Sequence, residues 1–400
     1  MAAKKEKKSS TSIEDLIKKH SALSGSQYEE FEGTLPVLST GNLDFDLATG
    51  QIDPEHGNGG LRARDTMEIA GKPGNAKNVL LHSMIRTTQE RWKTPNRNIV
   101  CVYTEKPDIR RMRREGIDVD RLIILGCYHK DIEARKTEAS YIMEAIIDFC
   151  QNPEIKLVTV DSVAMLTTDA MDEKDLDEAQ PVAALAKKFN IFVGRFVRST
   201  AFAPLVYTNH YREAINTGFS FVPPSQLVIE TVGGRTKEFL AMVRCLAIAS
   251  PLWREQGGTK ILHSETGKKI QDGLKTNYTI FRNRYANKDN YRVCASDYYF
   301  ESCRYNNEEA LIKIADHFTM SDESGVFQSV LSPGIVQRGA TYDIAGEKFR
   351  GIVNAVQHLK DSPEVYKAIE KQCIARSADY FSDEQDFTPL DLEAPEDDLQ

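Results

Sequence analysis

Gly71-Lys72-Pro73-Gly74-Asn75-Ala76-Lys77-Asn78 sits between a short apolar run, Thr66-Met-Glu-Ile-Ala70, and a longer apolar stretch opening at Val79. A strand, a glycine-bearing loop and a helix in that order have the position and length of a phosphate-binding loop. Backbone N–H groups and a helix N-terminus surround phosphate oxygens, a lysine at the seventh position reaches the outer phosphates, and the next side chain faces Mg2+. Gly71, Gly74, Asn75, Ala76, Lys77 and Asn78 are therefore the candidate nucleotide ligands. Two positions depart from the pattern: Ala76 stands where a second glycine is usual, and Asn78 where a Ser or Thr is usual. Alanine fits if its φ stays negative, and Asn78 can offer an amide oxygen to Mg2+. By itself the loop also suits an ordinary strand-loop-helix turn.

Working outward, apolar runs alternate with helical patterns. Strands are expected at 99–104, 121–125, 156–160 and 204–208, with helices near 134–150 and 182–199. Near-continuously apolar strands alternating with helices predict an α/β fold, a mainly parallel sheet covered on both faces. Leu157-Val-Thr-Val-Asp161 is an apolar strand ending in a carboxylate, suited to orienting Mg2+ at the C-terminal edge of such a sheet. Glu105 ends the 99–104 strand at the same edge, where a carboxylate can polarise an attacking water; a carboxylate there also suits a helix start. Lys77, Glu105 and Asp161 on successive strand ends are a stronger signal together than any one alone.

Past residue 236, strands follow one another without helices (239–248, 277–283 and 291–300), as antiparallel strands extending one sheet edge do. Residues 305–381 read as a small α-rich C-terminal domain with helices near 307–318, 346–360 and 363–377. Residues 1–34 read as a basic arm with a helix at 12–20, residues 35–304 as the core, and 382–400 as an acidic tail. That tail explains the charge: of 51 basic and 59 acidic residues, eight carboxylates lie at 382–400, so the rest of the chain is neutral. Such a block reads as disordered and often modulates interactions; a merely solubilising tail fits the composition equally well. The seven cysteines form no C-x-x-C pair and most lie in apolar runs, which predicts reduced core thiols. With no apolar leader and no membrane-length apolar stretch, a cytoplasmic protein without membrane contact is expected.

At this point the chain resembles the RecA recombinase family, including its phage relatives of the UvsX type. The segments that carry the resemblance are Leu38-Ser-Thr-Gly-Asn-Leu-Asp-Phe-Asp-Leu-Ala-Thr-Gly50, Glu68-Ile-Ala-Gly71, Thr104-Glu-Lys-Pro-Asp108, Val160-Asp-Ser-Val-Ala164, Thr208-Asn-His210 and Ala340-Thr-Tyr-Asp-Ile-Ala-Gly-Glu-Lys-Phe349. They span roughly 35–380 in the family's order. The resemblance implies a RecA-like ATPase core using ATP and Mg2+. Lys77 would hold the β/γ-phosphates, Asp161 with Asn78 the metal, Glu105 would activate water, and His210 would sense the γ-phosphate. Arg282 and Arg284 would reach the neighbouring subunit's ATP; read without the family, they are two exposed strand charges on one face.

The same resemblance implies filaments of head-to-tail subunits on single-stranded DNA, pairing with double-stranded DNA, and single-strand-binding and loader proteins as further partners. The long stretch 211–233 would be a DNA loop, with Arg212 on phosphate and Ile215 and Phe219 between bases; Arg235 and Lys237 would add phosphate contacts. Its alternative is a surface loop whose aromatics pack locally. The counterpart of the family's first DNA loop, 168–181, is acidic and is assigned no DNA residue. The expected function is an ATP-dependent recombinase. Its alternatives are a non-catalytic paralogue with weak hydrolysis, motivated by Ala76 and Asn78, and a hexameric helicase of the same fold, which the C-terminal segments disfavour.

Overall fold

The apolar strands of the first two-thirds assemble as one sheet because residues of both parities along each strand find a hydrophobic layer. In β4, for example, Ile99, Cys101 and Tyr103 enter one buried cluster and Val100 and Val102 another. The protein is described from a computed structural model, which covers residues 35–53, 55–126, 139–167, 182–199, 202–212, 230–232, 240–256, 259–264, 266–285, 292–321 and 327–376. From Pro36 on, these residues belong to one compact unit.

In chain order the elements are β1 (Val37–Leu38), α1 (Leu43–Thr49), β2 (Leu61–Arg62), β3 (Thr66–Gly71), α2 (Lys77–Arg91), β4 (Ile99–Tyr103), α3 (Ile109–Arg114), β5 (Leu122–Gly126), α4 (Ala139–Gln151), β6 (Leu157–Asp161), α5 (Val182–Arg198), β7 (Leu205–Arg212) and β8 (Glu230–Thr231). They continue with β9 (Val243–Trp253), β10 (Glu255–Gln256), β11 (Thr259–Lys260), β12 (Gln271–Asn283), β13 (Arg292–Tyr299) and β14 (Arg304–Tyr305). The main sheet runs β14-β13-β12-β9-β3-β7-β6-β4-β5, with β8 pairing β7. Strands β9, β3, β7, β6, β4 and β5 are parallel. Of the three strands expected as an antiparallel extension, β12 and β13 are antiparallel, whereas β9 joins β3 in parallel. The α/β class with a mostly parallel, doubly covered sheet is therefore observed.

Local chemistry sets the helices. Asn42 caps α1 by accepting from the Phe45 N–H, and Gly50 ends it at φ 71°. On α5, Leu185, Phe189, Phe192, Val193 and Phe196 are buried at helical spacing. Phe189 meets Phe192 at 5.5 Å and Tyr207 of β7 at 6.3 Å, edge to face. Each such buried side chain contributes roughly 1.5–3 kcal/mol, which fixes α5 and α4 on one face while α2 covers the other.

The C-terminal part holds α6 (Asn307–His317), β15 (Thr319–Ser321), β16 (Phe327–Ser329), β17 (Ile335–Arg338), β18 (Thr341–Ile344), β19 (Glu347–Arg350), α7 (Ile352–Asp361) and α8 (Pro363–Ala375). It is mixed rather than α-rich. The helix expected from 346 starts at Ile352 because Glu347–Arg350 pairs with β18, and Gly351 at φ 84° turns the chain into the helix. Its hydrophobic cluster takes in Leu43 and Leu47 of α1, so it is packed on the core. Among the described residues, Cys101, Cys150, Cys245, Cys294 and Cys373 are buried free thiols and Cys303 is a half-buried one. No helix among the described residues is long and apolar enough to cross a membrane. The expected arm and helix within 1–34, the loop 168–181 and the tail 382–400 lie outside the described residues.

Candidate active site

The parallel register brings the C-terminal ends of β3, β7, β6 and β4 to one edge. Gly71 lies opposite His210, Val160 opposite Tyr207, and Tyr103 opposite Asp161. The loop 71–78 leaves β3 at this edge. Gly71 has no room for a side chain: a Cβ there would stand 2.9 Å from the Ala247 carbonyl oxygen of β9. Gly74 takes φ 82°, a glycine conformation. Ala76 takes φ 55°, ψ 18°. The negative φ that would make alanine an easy substitute is thus not adopted; the loop keeps the left-handed turn that glycine usually supplies, and the alanine bears its cost. Helix α2 begins at Lys77, two residues earlier than its apolar pattern suggests, and has no side-chain cap and no acidic residue in its first turn. Val79 and Leu80 donate to the Ala76 carbonyl, so the N–H groups of Lys77 and Asn78 are the ones left for an anion.

Lys77 is folded into the loop, donating to the Gly71 carbonyl at 2.9 Å and the Lys72 carbonyl at 2.8 Å. Burial holds its pKa below the ordinary lysine value, against the opposing charges of Asp161 and Glu105. A phosphate oxygen in the loop would offer this ammonium a charged acceptor in place of two neutral carbonyls, a stronger type of hydrogen bond.

Asp161 accepts from Asn78 Nδ2 at 2.8 Å and from Thr208 Oγ1 at 2.6 Å. Thr104 donates its backbone N–H and its hydroxyl to the Asp161 carbonyl, at 2.9 and 3.2 Å. Asn78 and Asp161, expected together as metal ligands, are thus neighbours. Asp161 and the Asn78 amide oxygen could together hold Mg2+, with waters or phosphate oxygens filling its other positions. When bound, the ion would neutralise charge on the phosphates. Glu105 lies two residues beyond β4, exposed at the same edge. Glu115 bridges His82 of α2 and Arg111 of α3, tying the segment after Glu105 to the loop's own helix.

His210 ends the cluster on β7, half-buried, its N–H donating to Asn209 Oδ1 at 2.9 Å. Beneath it lies a network the sequence reading did not single out. Glu68 of β3, with no exposed surface, accepts from Asn209 Nδ2 at 2.8 Å, Thr231 Oγ1 at 2.7 Å and Arg244 Nε at 2.6 Å. Arg244 lies over the Phe281 ring at 4.8 Å. The available signal was a glutamate inside an apolar strand, since a buried carboxylate requires a partner.

Tyr211 and Arg212 pair with Thr231 and Glu230, so β7 continues past His210 into a two-residue ladder with β8. Residues 213–229 connect those strands in sequence. They and 233–239 lie outside the described residues, and with them Ile215, Phe219, Arg235 and Lys237.

Arg282 and Arg284 are not brought to this cluster. Arg282 is in register with Arg244, which lies opposite Glu68 of β3. That places it three residues, roughly 10 Å of strand, short of Gly71 and two strands away. Arg284 lies one residue past the end of β12, its N–H donating to the Met242 carbonyl at 2.9 Å, so the pairing with β9 continues in step from Arg282 through Arg284. No family model matches this chain.

Proposed function

We propose that this chain is an ATP-dependent, RecA-type recombinase that assembles head-to-tail on single-stranded DNA and drives homologous pairing with a duplex. The observation that carries this proposal is the convergence of Lys77, Asp161, Asn78, Thr208 and Glu105 on one sheet edge, beside a left-handed loop and an uncapped helix start. In this account Lys77 and the α2 N–H groups bind the β- and γ-phosphates. Asp161 and Asn78 hold Mg2+, Glu105 orients water, and His210 senses the γ-phosphate. The position of Arg282 away from its own chain's loop supports a role toward a neighbour, as a filament with ATP between subunits requires. The β7–β8 ladder beyond His210 supports a link between the sensor and residues 213–229, the proposed DNA loop.

A second reading, a RecA-fold paralogue that binds DNA or a recombinase but hydrolyses ATP poorly, is favoured by the positive φ of Ala76 and the amide at Asn78. Electron microscopy on single-stranded DNA tests the proposal. Regular helical filaments with ATP, altered or lost with ADP, are expected. Closed rings, or no nucleotide-dependent assembly, would overturn it.

A further inference from the structure

The N–H groups at the start of α2 have no partner within the helix, so their aim depends on how the first peptides are held. The carbonyl of Ala76 and the N–H of Lys77 share one trans peptide plane and point in opposite directions. Whatever holds that carbonyl therefore aims that N–H. An alanine in the left-handed region is under a standing pull toward ordinary backbone angles, and yielding to it would turn this same peptide.

The Ala76 carbonyl accepts from the Val79 N–H at 3.1 Å and the Leu80 N–H at 3.3 Å of its own helix, and is held a third time from the core of the sheet. The Tyr278 hydroxyl donates to it at 3.2 Å, and the hydroxyls of Tyr278 and Tyr305 are 2.7 Å apart in a second hydrogen bond. With Tyr278 donating to the carbonyl, Tyr305 is the donor to Tyr278. Both rings are buried. They meet edge to face at 6.3 Å, and Tyr278 also meets Phe45 at 6.0 Å. Tyr278 sits in β12 between β9 and β13, paired with Ala247 and Cys294, so its hydroxyl is delivered by a backbone fixed on both sides. Packing alone does not need that hydroxyl, since a phenylalanine ring fills the same space. Its placement makes sense if the peptide it reaches must point one way.

We infer that Tyr278, supported by Tyr305, is a positioning residue for the phosphate loop. It holds the Ala76–Lys77 peptide so that the Lys77 N–H faces a nucleoside di- or triphosphate, doing for an alanine-containing loop what glycine does without help. This rests on the nucleotide-site proposal above. Neither tyrosine touches the ligand.

The test is calorimetric titration with magnesium ADP, alongside urea unfolding, for the full chain, three tyrosine variants and Lys77→Ala as the control for the nucleotide site. Tyr278→Phe strands the Tyr305 hydroxyl in the core, so it lowers the unfolding midpoint and weakens binding. Tyr278→Phe/Tyr305→Phe removes both hydroxyls and recovers the midpoint, yet binding stays about fivefold weaker, the size of one hydrogen bond. Tyr305→Phe leaves the bond to Ala76 in place and keeps affinity within about twofold of wild type by the same measure. Affinity that recovers with the midpoint in the double variant overturns the inference and reduces both tyrosines to packing. Wild type that binds no magnesium ADP, like Lys77→Ala, overturns the nucleotide site itself; wild-type binding matched by the double variant overturns only the role of Tyr278.

Discussion

Replacing Ala76 by glycine asks whether the loop's left-handed turn carries the cost its geometry implies. At φ 55° the Cβ of Ala76 crowds its own backbone, a penalty of about 1–2 kcal/mol that glycine does not bear. Against that relief, glycine loses about 0.5–1 kcal/mol through backbone freedom. The methyl is also 7% exposed within the main hydrophobic cluster, so its removal forfeits about 0.8 kcal/mol. The terms nearly cancel, and Ala76→Gly is expected within about 1 kcal/mol of wild type. Ala48 provides the control. It is buried to the same degree, 8% exposed, but sits inside α1 without positive φ. Ala48→Gly therefore loses both the methyl and the helix preference with no relief, about 1.5–2 kcal/mol. Urea unfolding of both variants measures the difference. Equal destabilisation at the two positions would refute the strain assigned to Ala76.

Two further outcomes follow from buried charge. Arg244→Met leaves the buried Glu68 without its cation, at a cost of about 3–5 kcal/mol, whereas Glu68→Met/Arg244→Met recovers most of that loss; a double variant no more stable than the single, by urea unfolding, would contradict the pairing. Burial raises the Asp46 carboxyl to about 7, despite hydrogen bonds from Ser39 and Thr40. Between its ordinary 3.8 and about 7, the folded state keeps a proton that the unfolded chain has lost. Stability from this group is therefore greatest at low pH and falls as pH rises through that window. Relative to wild type, Asp46→Asn should gain on the order of a few kcal/mol between pH 4 and 8, at about 1.4 kcal/mol per unit; a pH-independent difference in unfolding free energy would contradict it.

The parallel sheet and its helices were legible because apolar period and flanking glycines carry that information locally. Asn78 and Asp161 were legible as neighbours because one stands where the loop after an apolar strand enters its helix and the other ends an apolar strand, and strand ends of a parallel sheet share an edge. The backbone angle of Ala76 was not, since it depends on the loop it closes and the helix it begins, and the Tyr278 hydroxyl that meets its carbonyl lies about 200 positions away. Nor were the partners of Glu68: Asn209, Thr231 and Arg244 lie more than 140 positions away and meet it only through strand order. The late start of α7 has the same origin, because Glu347–Arg350 has a strand partner in Thr341–Ile344 that helical propensity does not register.

In the proposed function, the edge formed by Lys77, Asp161 and Glu105 turns over ATP under the control of DNA. Steady-state ATP hydrolysis with and without single-stranded DNA tests it most directly, comparing wild type with Lys77→Ala, whose ammonium bridges the loop. Magnesium-dependent hydrolysis that DNA stimulates and that Lys77→Ala abolishes is expected. Hydrolysis absent in wild type, or unchanged by DNA and by loss of Lys77, would contradict it.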